Sequence, residues 1–174
     1  MVKYLLLLFL LPLLSGCDKL GKAILFDMSY DRTVVIPATT PLYLPIDIPT
    51  PEISITTENT FSQHKTRLDL VSQIKMSQLT LMILNPANSN LSFLRSVSIY
   101  ISTPTLPELK IAWADDIPSN INDGISLQIS AENLLDYYKS ESVTLKTVVT
   151  LDELITSDYE INVHAAFRIN AKKD

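Results

Sequence analysis

Cysteine and runs of basic residues are nearly missing from this chain of 174 residues. Cys17 is the single cysteine, so no disulfide can form within the chain and burial alone must hold the fold together. Lys and Arg number 14 against 19 Asp and Glu, a formal net charge of −5. Without a basic run, binding to nucleic acid or to anionic lipid through charge is not expected. The two histidines, His64 and His164, lie far apart in the sequence and predict no metal site.

An apolar segment follows Lys3 and ends in the motif Leu14-Ser15-Gly16-Cys17. Its length from Tyr4 to Leu14 suits a secretory signal and is too short to span a bilayer. The motif resembles the lipobox of bacterial lipoproteins. This resemblance implies that the chain is cut before Cys17 and that acyl chains on this cysteine hold the protein in the membrane. A plain signal peptide with a chance cysteine and a buried helix are the alternatives.

The lipobox resemblance divides the chain into three parts. Residues 1–16 form a cleaved signal peptide, residues 17–23 a lipidated tether and residues 24–174 one domain. The expected location is the bacterial cell envelope. Asp18 follows the acylated cysteine directly, which resembles the signal for retention in the inner membrane of many diderm bacteria. Sorting rules differ between bacterial groups, so inner and outer membrane both remain open.

Glycine is scarce after the lipobox, where only Gly21 and Gly124 occur. Phosphate-binding loops, dinucleotide fingerprints and nucleophile elbows need several closely spaced glycines, because the backbone there turns tightly or approaches a ligand. The mature chain therefore carries none of these three motifs. No signature groups Ser, His and Asp into a triad either.

Apolar and polar residues alternate along most of the domain, which is typical of half-buried antiparallel strands. The longest run is apolar at Ile161, Val163, Ala165, Phe167, Ile169 and Ala171. Further runs begin near Ile24, Leu42, Leu79, Val97, Leu109, Ile125 and Val143. The pattern predicts an all-β fold, an antiparallel β-sandwich of about eight strands with short helical crossovers.

Three segments carry helix-start signals. Thr60–Gln63 fits a capping box, and Leu68, Val71 and Ile74 follow at helical spacing. Ser130 is expected to cap a turn that ends near Tyr138, and Thr150–Glu153 fits a second capping box.

Prolines are concentrated in one stretch, at the odd positions Pro37, Pro41, Pro45, Pro49 and Pro51. In an extended chain, residues two apart point their N–H groups to the same side. Proline has no N–H group, so all five donors would be lost from one edge. We expect Pro37–Pro49 to form an edge segment, since proline is tolerated in sheets mainly at edges. A polyproline-like stretch that switches between sheets is the alternative.

The most oxygen-rich loop contains Asp115, Asp116 and Asp123 and is the candidate binding loop. Asn85–Asn90 is a second polar, turn-rich candidate loop, and only the strand topology can decide whether the two lie at the same end. Its ligand chemistry would suit calcium, but Gly124 falls where an EF-hand loop needs a ligand. A solvated loop ending in an Asp-Gly turn is the alternative. The adjacent carboxylates Asp152 and Glu153 are expected to serve a helix start.

Aromatic residues provide a second candidate. Tyr137, Tyr138 and Trp113 could form a platform for a carbohydrate or peptide. Trp113 shares its phase with Leu109 and Ile111, so we expect it in the core.

Past the lipobox, the order of strand, Asn85-Pro86 and strand resembles small envelope domains of the water-stress (LEA14-like) sandwich class. This resemblance implies a fold and no activity. We therefore expect a non-catalytic binding or scaffolding module without cofactor or metal, whose partner is an envelope protein or the cell wall. Capture of a small molecule or glycan is the alternative, and a hydrolase ranks third.

Overall fold

The computed structural model describes residues 22–48, 58–140 and 142–174. Cys17, the signal segment, Pro49 and Pro51 lie outside these residues. The described chain forms two antiparallel sheets, of four and five strands, that pack together. The prediction of an all-β sandwich is confirmed.

The elements follow one another with short connections. The strands are β1 (Ala23–Ile36), β2 (Ile46–Ile48), β3 (Val71–Asn85), β4 (Leu94–Ser102), β5 (Leu109–Ala114), β6 (Gly124–Ser126), β7 (Gln128–Ile129), β8 (Thr144–Leu151) and β9 (Tyr159–Lys172). Two short helices, α1 (Glu58–Gln63) and α2 (Leu135–Tyr138), and a 3-10 turn (Leu68–Leu70) complete the fold.

Sheet 1 has the strand order β1-β9-β3-β6 and contains the long strands. β1 and β9 pair along their full length, from Ala23 opposite Lys172 to Ile36 opposite Tyr159. β1 thus begins at Ala23, the last residue assigned to the tether by the sequence. At about 3.3 Å per residue, this strand of 14 residues is about 43 Å long.

Sheet 2 has the order β2-β8-β4-β5-β7, so β2 is an edge strand. Within the predicted edge segment, Ile46–Ile48 pairs with β8 and Leu42 forms a single bridge with Leu151. The rest of Pro37–Pro45 forms turns and irregular chain. The edge prediction is therefore confirmed only for β2. Residues 37–45 connect β1 of sheet 1 to β2 of sheet 2, so a stretch that switches between the sheets, which was the alternative, describes this part. Proline cannot donate to a ladder, which limits the paired part.

The core lies between the two sheets. Ile74 and Ile169 from sheet 1 and Leu94 and Leu151 from sheet 2 have no exposed surface. Burying each of these side chains stabilises the fold by about 1.5–3 kcal/mol relative to exposure. The alternation predicted for the last run is also observed, since Ile161, Phe167, Ile169 and Ala171 are buried along β9.

One helix prediction is wrong, and two are partly right. Leu68 lies in the 3-10 turn, whereas Val71 and Ile74 lie in β3, where a register shift between Val71 and Gln73 produces the spacing of three. Thr60 lies inside α1 rather than at its start, and Thr150–Glu153 ends β8 in a turn. α2 does end at Tyr138, but it begins at Leu135, several residues after Ser130.

The sandwich has two ends, which are named by their position. The loop end consists of residues 37–45, 86–93, 115–123 and 152–158, which follow β1, β3, β5 and β8. The tether end is the opposite one, where β1 begins and β9 ends. No helix in the described ranges is long and apolar enough to cross a membrane.

Candidate binding surface at the loop end

Backbone hydrogen bonds bring the two candidate loops together. The N–H of Leu91 donates to the carbonyl of Asn122 at 3.0 Å, and the N–H of Ile83 donates to the carbonyl of Asp123 at 2.9 Å. The loop after Asn85 and the loop from Asp115 to Asp123 therefore lie side by side. The sequence identified each loop but could not place the two together, because their proximity depends on the strand topology.

Two further connections join them at the same end. The N–H of Asp152 donates to the carbonyl of Phe93 at 3.1 Å, and the Ser92 hydroxyl donates to Glu153 Oε2 at 3.4 Å. The N–H of Ala38 donates to Asp158 Oδ1 at 2.8 Å. The loop end is thus one connected surface built from four separate segments.

Buried apolar side chains fix this surface to the core. Leu91, Phe93, Ile117 and Ile155 all come from the loops, yet each is less than a tenth exposed. The ring centroid of Phe93 lies 4.3 Å from that of Tyr159 at the start of β9. Because a loop that buries such side chains cannot move without opening the core, the loop end is held in a defined shape.

The loop end is acidic. Its four segments contain no Lys or Arg. The exposed carboxylates are those of Asp115, Asp116, Asp123, Glu153 and Asp158. One carboxylate oxygen, Asp152 Oδ1, is buried without a hydrogen-bond partner among the described residues. A buried acceptor without a donor destabilises a fold. No described residue of the domain donates a hydrogen bond to this oxygen.

Exposed apolar side chains accompany the acids. Tyr43, Leu44 and Leu154 are 62%, 57% and 74% exposed. Tyr43 also has φ 59°, a left-handed conformation that a bulky residue rarely adopts. Asn88 (φ 60°) and Asp116 (φ 49°) share this conformation, which Asn and Asp tolerate more readily. Strained backbone of this kind is concentrated at functional sites.

The structure offers no metal centre at the loop end. Across 22–48, 58–140 and 142–174, no three His, Cys, Asp or Glu residues are grouped so that they could hold a metal ion. The calcium alternative for Asp115–Asp123 therefore gains no support from the geometry. His64 stacks on Phe26 with ring centroids 4.1 Å apart, while His164 Nδ1 lies 3.0 Å from Asp31 Oδ1. Hydrogen bonds from Asn162 and His164 lower the pKa of Asp31.

The aromatic platform predicted at Tyr137 and Tyr138 is not at the surface. Both residues are buried, since α2 packs against β3 and places them inside. The Tyr137 hydroxyl donates to the carbonyl of Pro107 at 2.9 Å, and the Tyr138 ring lies edge-on to Phe167. Burial, followed by the nearby Tyr30, raises the pKa of Tyr138 well above its ordinary value. Neither ring is free to stack on a ligand in this structure.

Tyr100 and Trp113 form an outward-facing aromatic pair, of which the sequence analysis considered only Trp113 and placed it in the core. Trp113, expected in the core, is half-buried on the outer face of sheet 2 opposite Ser98. A bulge at Ile111 shifts the register and turns Trp113 outward. The neighbouring Tyr100 has Lys110 Nζ 5.7 Å and Lys146 Nζ 4.9 Å from its ring centroid, distances typical of cation–π contacts. The sequence did contain a signal for Tyr100, since it lies between the core residues Ile99 and Ile101 and therefore faces outward on β4.

Between the sheets lies an apolar cavity of about 50 Å³, lined by Met76, Ile99, Tyr138 and Phe167 among others. Pockets that enclose small molecules usually measure about 300–1,000 Å³. This cavity is too small for such a ligand and is best described as an imperfection of core packing.

Comparison with known proteins adds no family. No family model matches the chain, and no curated protein is similar to it in sequence.

Proposed function

We propose that this chain is a lipid-anchored, non-catalytic binding module of a bacterial cell envelope, and that it contacts its partner through the loop end. Anchoring is supported by the lipobox resemblance at Cys17. With the anchor a few residues before β1, the loop end would be the part of the domain farthest from the membrane, about 43 Å away along β1. That position suits contact with another envelope protein or the cell wall.

The observation that carries the proposal is the combination of charge and apolar exposure at one rigid end. Four segments without a cation meet there and expose Tyr43, Leu44 and Leu154 between carboxylates. Protein interfaces commonly combine such an apolar or aromatic centre with a charged rim, and complementary charge selects the partner. The partner expected here is a protein whose surface is basic around an apolar contact.

The test is capture of the partner from detergent-solubilised membranes, followed by measurement of its affinity in purified form. Replacing Asp115, Asp116 and Asp123 together by Asn, which tolerates the left-handed conformation of Asp116, should leave the melting temperature nearly unchanged and weaken binding by about tenfold, because rim charges steer association. The matched control replaces Glu108, Glu132 and Asp136, three exposed acids outside the loop end. Equal losses in both triple variants would contradict a specific role for the loop end.

Capture of a glycan is the second candidate, favoured by Tyr100 and Trp113 on the outer face of sheet 2. Aromatic faces stack on sugar rings, and Lys110 and Lys146 would suit an acidic glycan. Trp113 is the only tryptophan of the chain, so its fluorescence reports on this face directly. A saturable change in Trp113 emission with soluble cell-wall glycan, retained in the triple Asp variant, would support this function in place of the first.

A further inference from the structure

Basic side chains are clustered at the tether end. The N–H of Lys173 donates to the carbonyl of Lys22 at 3.0 Å, and the N–H of Asp174 donates to the carbonyl of Lys65 at 3.0 Å. The Thr66 hydroxyl donates to the carbonyl of Lys172 at 2.6 Å. These bonds bring together a basic cluster made of Lys22, Lys65, Arg67, Lys172 and Lys173.

The charge of this cluster is only partly neutralised. Arg67 Nε lies 2.7 Å from Asp69 and Arg67 Nη1 lies 3.0 Å from Asp174, so one guanidinium engages both carboxylates. The four lysines of the cluster form no ion pair with any described residue and are exposed. The tether end therefore carries a net positive charge, whereas the loop end carries only negative side chains.

A cleft of about 290 Å³ opens within the cluster. Its apolar side consists of Ile24, Leu25 and Phe26 on β1, and its polar side of Gln63, His64, Lys65 and Lys173. Among these lining residues, the ring of His64 stacks on that of Phe26. Leu25 is 60% exposed, so an apolar side chain stands at the surface directly beside unpaired ammonium groups.

We propose that the basic cluster and its cleft bind the anionic surface of a phospholipid membrane. The lysines would meet lipid phosphates, and Leu25 would enter the boundary between headgroups and acyl chains, as apolar residues of membrane-surface proteins do. Each lysine near an anionic surface strengthens binding about fivefold. The acidic loop end is repelled by the same surface, so the two ends together set the orientation of the domain.

The proposal deepens the proposed function, on which it rests for the nearby anchor. An acyl chain at Cys17 would keep the basic cluster close to the membrane at high effective concentration. The contact itself depends on charge and can be measured without the anchor, so the two proposals can fail separately.

The experiment measures partition of the full chain, carrying Cys17→Ser to prevent acylation, onto two kinds of vesicle. One kind is phosphatidylcholine alone, and the other also contains phosphatidylglycerol. Every variant carries the same apolar N-terminal segment, whose contribution is the same for both kinds of vesicle. The ratio of the partition coefficient on phosphatidylglycerol vesicles to that on phosphatidylcholine vesicles therefore reports on charge. We expect the ratio to favour phosphatidylglycerol and to fall as salt is raised, because salt screens the attraction.

The test variant is Lys65→Gln with Lys173→Gln, and the matched control is Arg32→Gln with Arg95→Gln. Each removes two exposed positive charges, but only the first pair lines the cleft. The lysine pair should lower the ratio about 30-fold, while the control pair should leave it nearly unchanged, with equal melting temperatures. An equal fall of the ratio in both double variants would overturn the proposal. So would a protein with an unsubstituted cleft that shows no preference for phosphatidylglycerol vesicles.

Discussion

Replacement of Phe167 by Ala tests the orientation of the central strand of sheet 1. Phe167 is 6% exposed, lies opposite Met28 of β1 and Met76 of β3, and contacts the rings of Tyr30 and Tyr138. Truncation of a buried Phe costs about 3–5 kcal/mol, of which part comes from the cavity left behind. Phe167 already borders a cavity of about 50 Å³. The new void would join it, so we expect a cost at the upper end of that range.

The neighbouring residue provides the control. Arg168 points outward, and its Nε lies 3.0 Å from Asp27 Oδ1 across the strand pair, with both side chains more than half exposed. An exposed ion pair contributes about 0–1 kcal/mol, so Arg168→Ala should cost about 0.5 kcal/mol.

Urea denaturation followed by circular dichroism gives both free energies of unfolding. The midpoint should fall sharply for Phe167→Ala and hardly for Arg168→Ala, with similar slopes in both. Equal costs, or a larger cost for Arg168→Ala, would show that the inward and outward faces of β9 have been exchanged.

Two further predictions concern the anchor and the core. Cys17→Ala should abolish incorporation of labelled fatty acid and release the protein from membranes or leave it uncleaved; a variant that still takes up label would refute the lipobox assignment. Because the pKa of Tyr138 is raised on folding from its ordinary value of 10.0, its stabilising contribution is complete below that value and lost as pH rises past it. Melting temperatures should therefore fall above about pH 10, and Tyr138→Phe should lessen this fall whereas Tyr43→Phe, at an exposed position, should not.

Residue alternation predicted the fold wherever the strands are regular. β9 is the best case. Ile161, Phe167, Ile169 and Ala171 are buried, and Val163 and Ala165 between them are half-buried against the core. Prediction failed where the ladder is irregular. The shift at Ser72 gave β3 a spacing that resembles a helix, and the bulge at Ile111 placed Trp113 outside. A bulge inserts one residue, and single-residue shifts exchange the two faces of a strand.

The candidate site was predictable only in its parts. Asp115, Asp116 and Asp123 were visible as an acidic loop, but Asp152 and Glu153 of the other acidic segment were interpreted as the start of a helix. Their meeting at one end follows from strand order, which local sequence does not encode. Tyr137 and Tyr138 were only candidates for a surface platform, and their burial was not predicted because α2 has four residues, too few to show which face is apolar.

The buried apolar side chains of the loop end have a kinetic consequence. With Leu91, Phe93, Ile117 and Ile155 fixed in the core, a partner meets a surface that already has its bound shape, and little chain must be ordered during association. Encounter then depends chiefly on diffusion guided by the field of the carboxylates. For the proposed binding surface, added salt would slow association while the lifetime of the complex would change little, because that lifetime would depend on apolar contacts of Tyr43, Leu44 and Leu154.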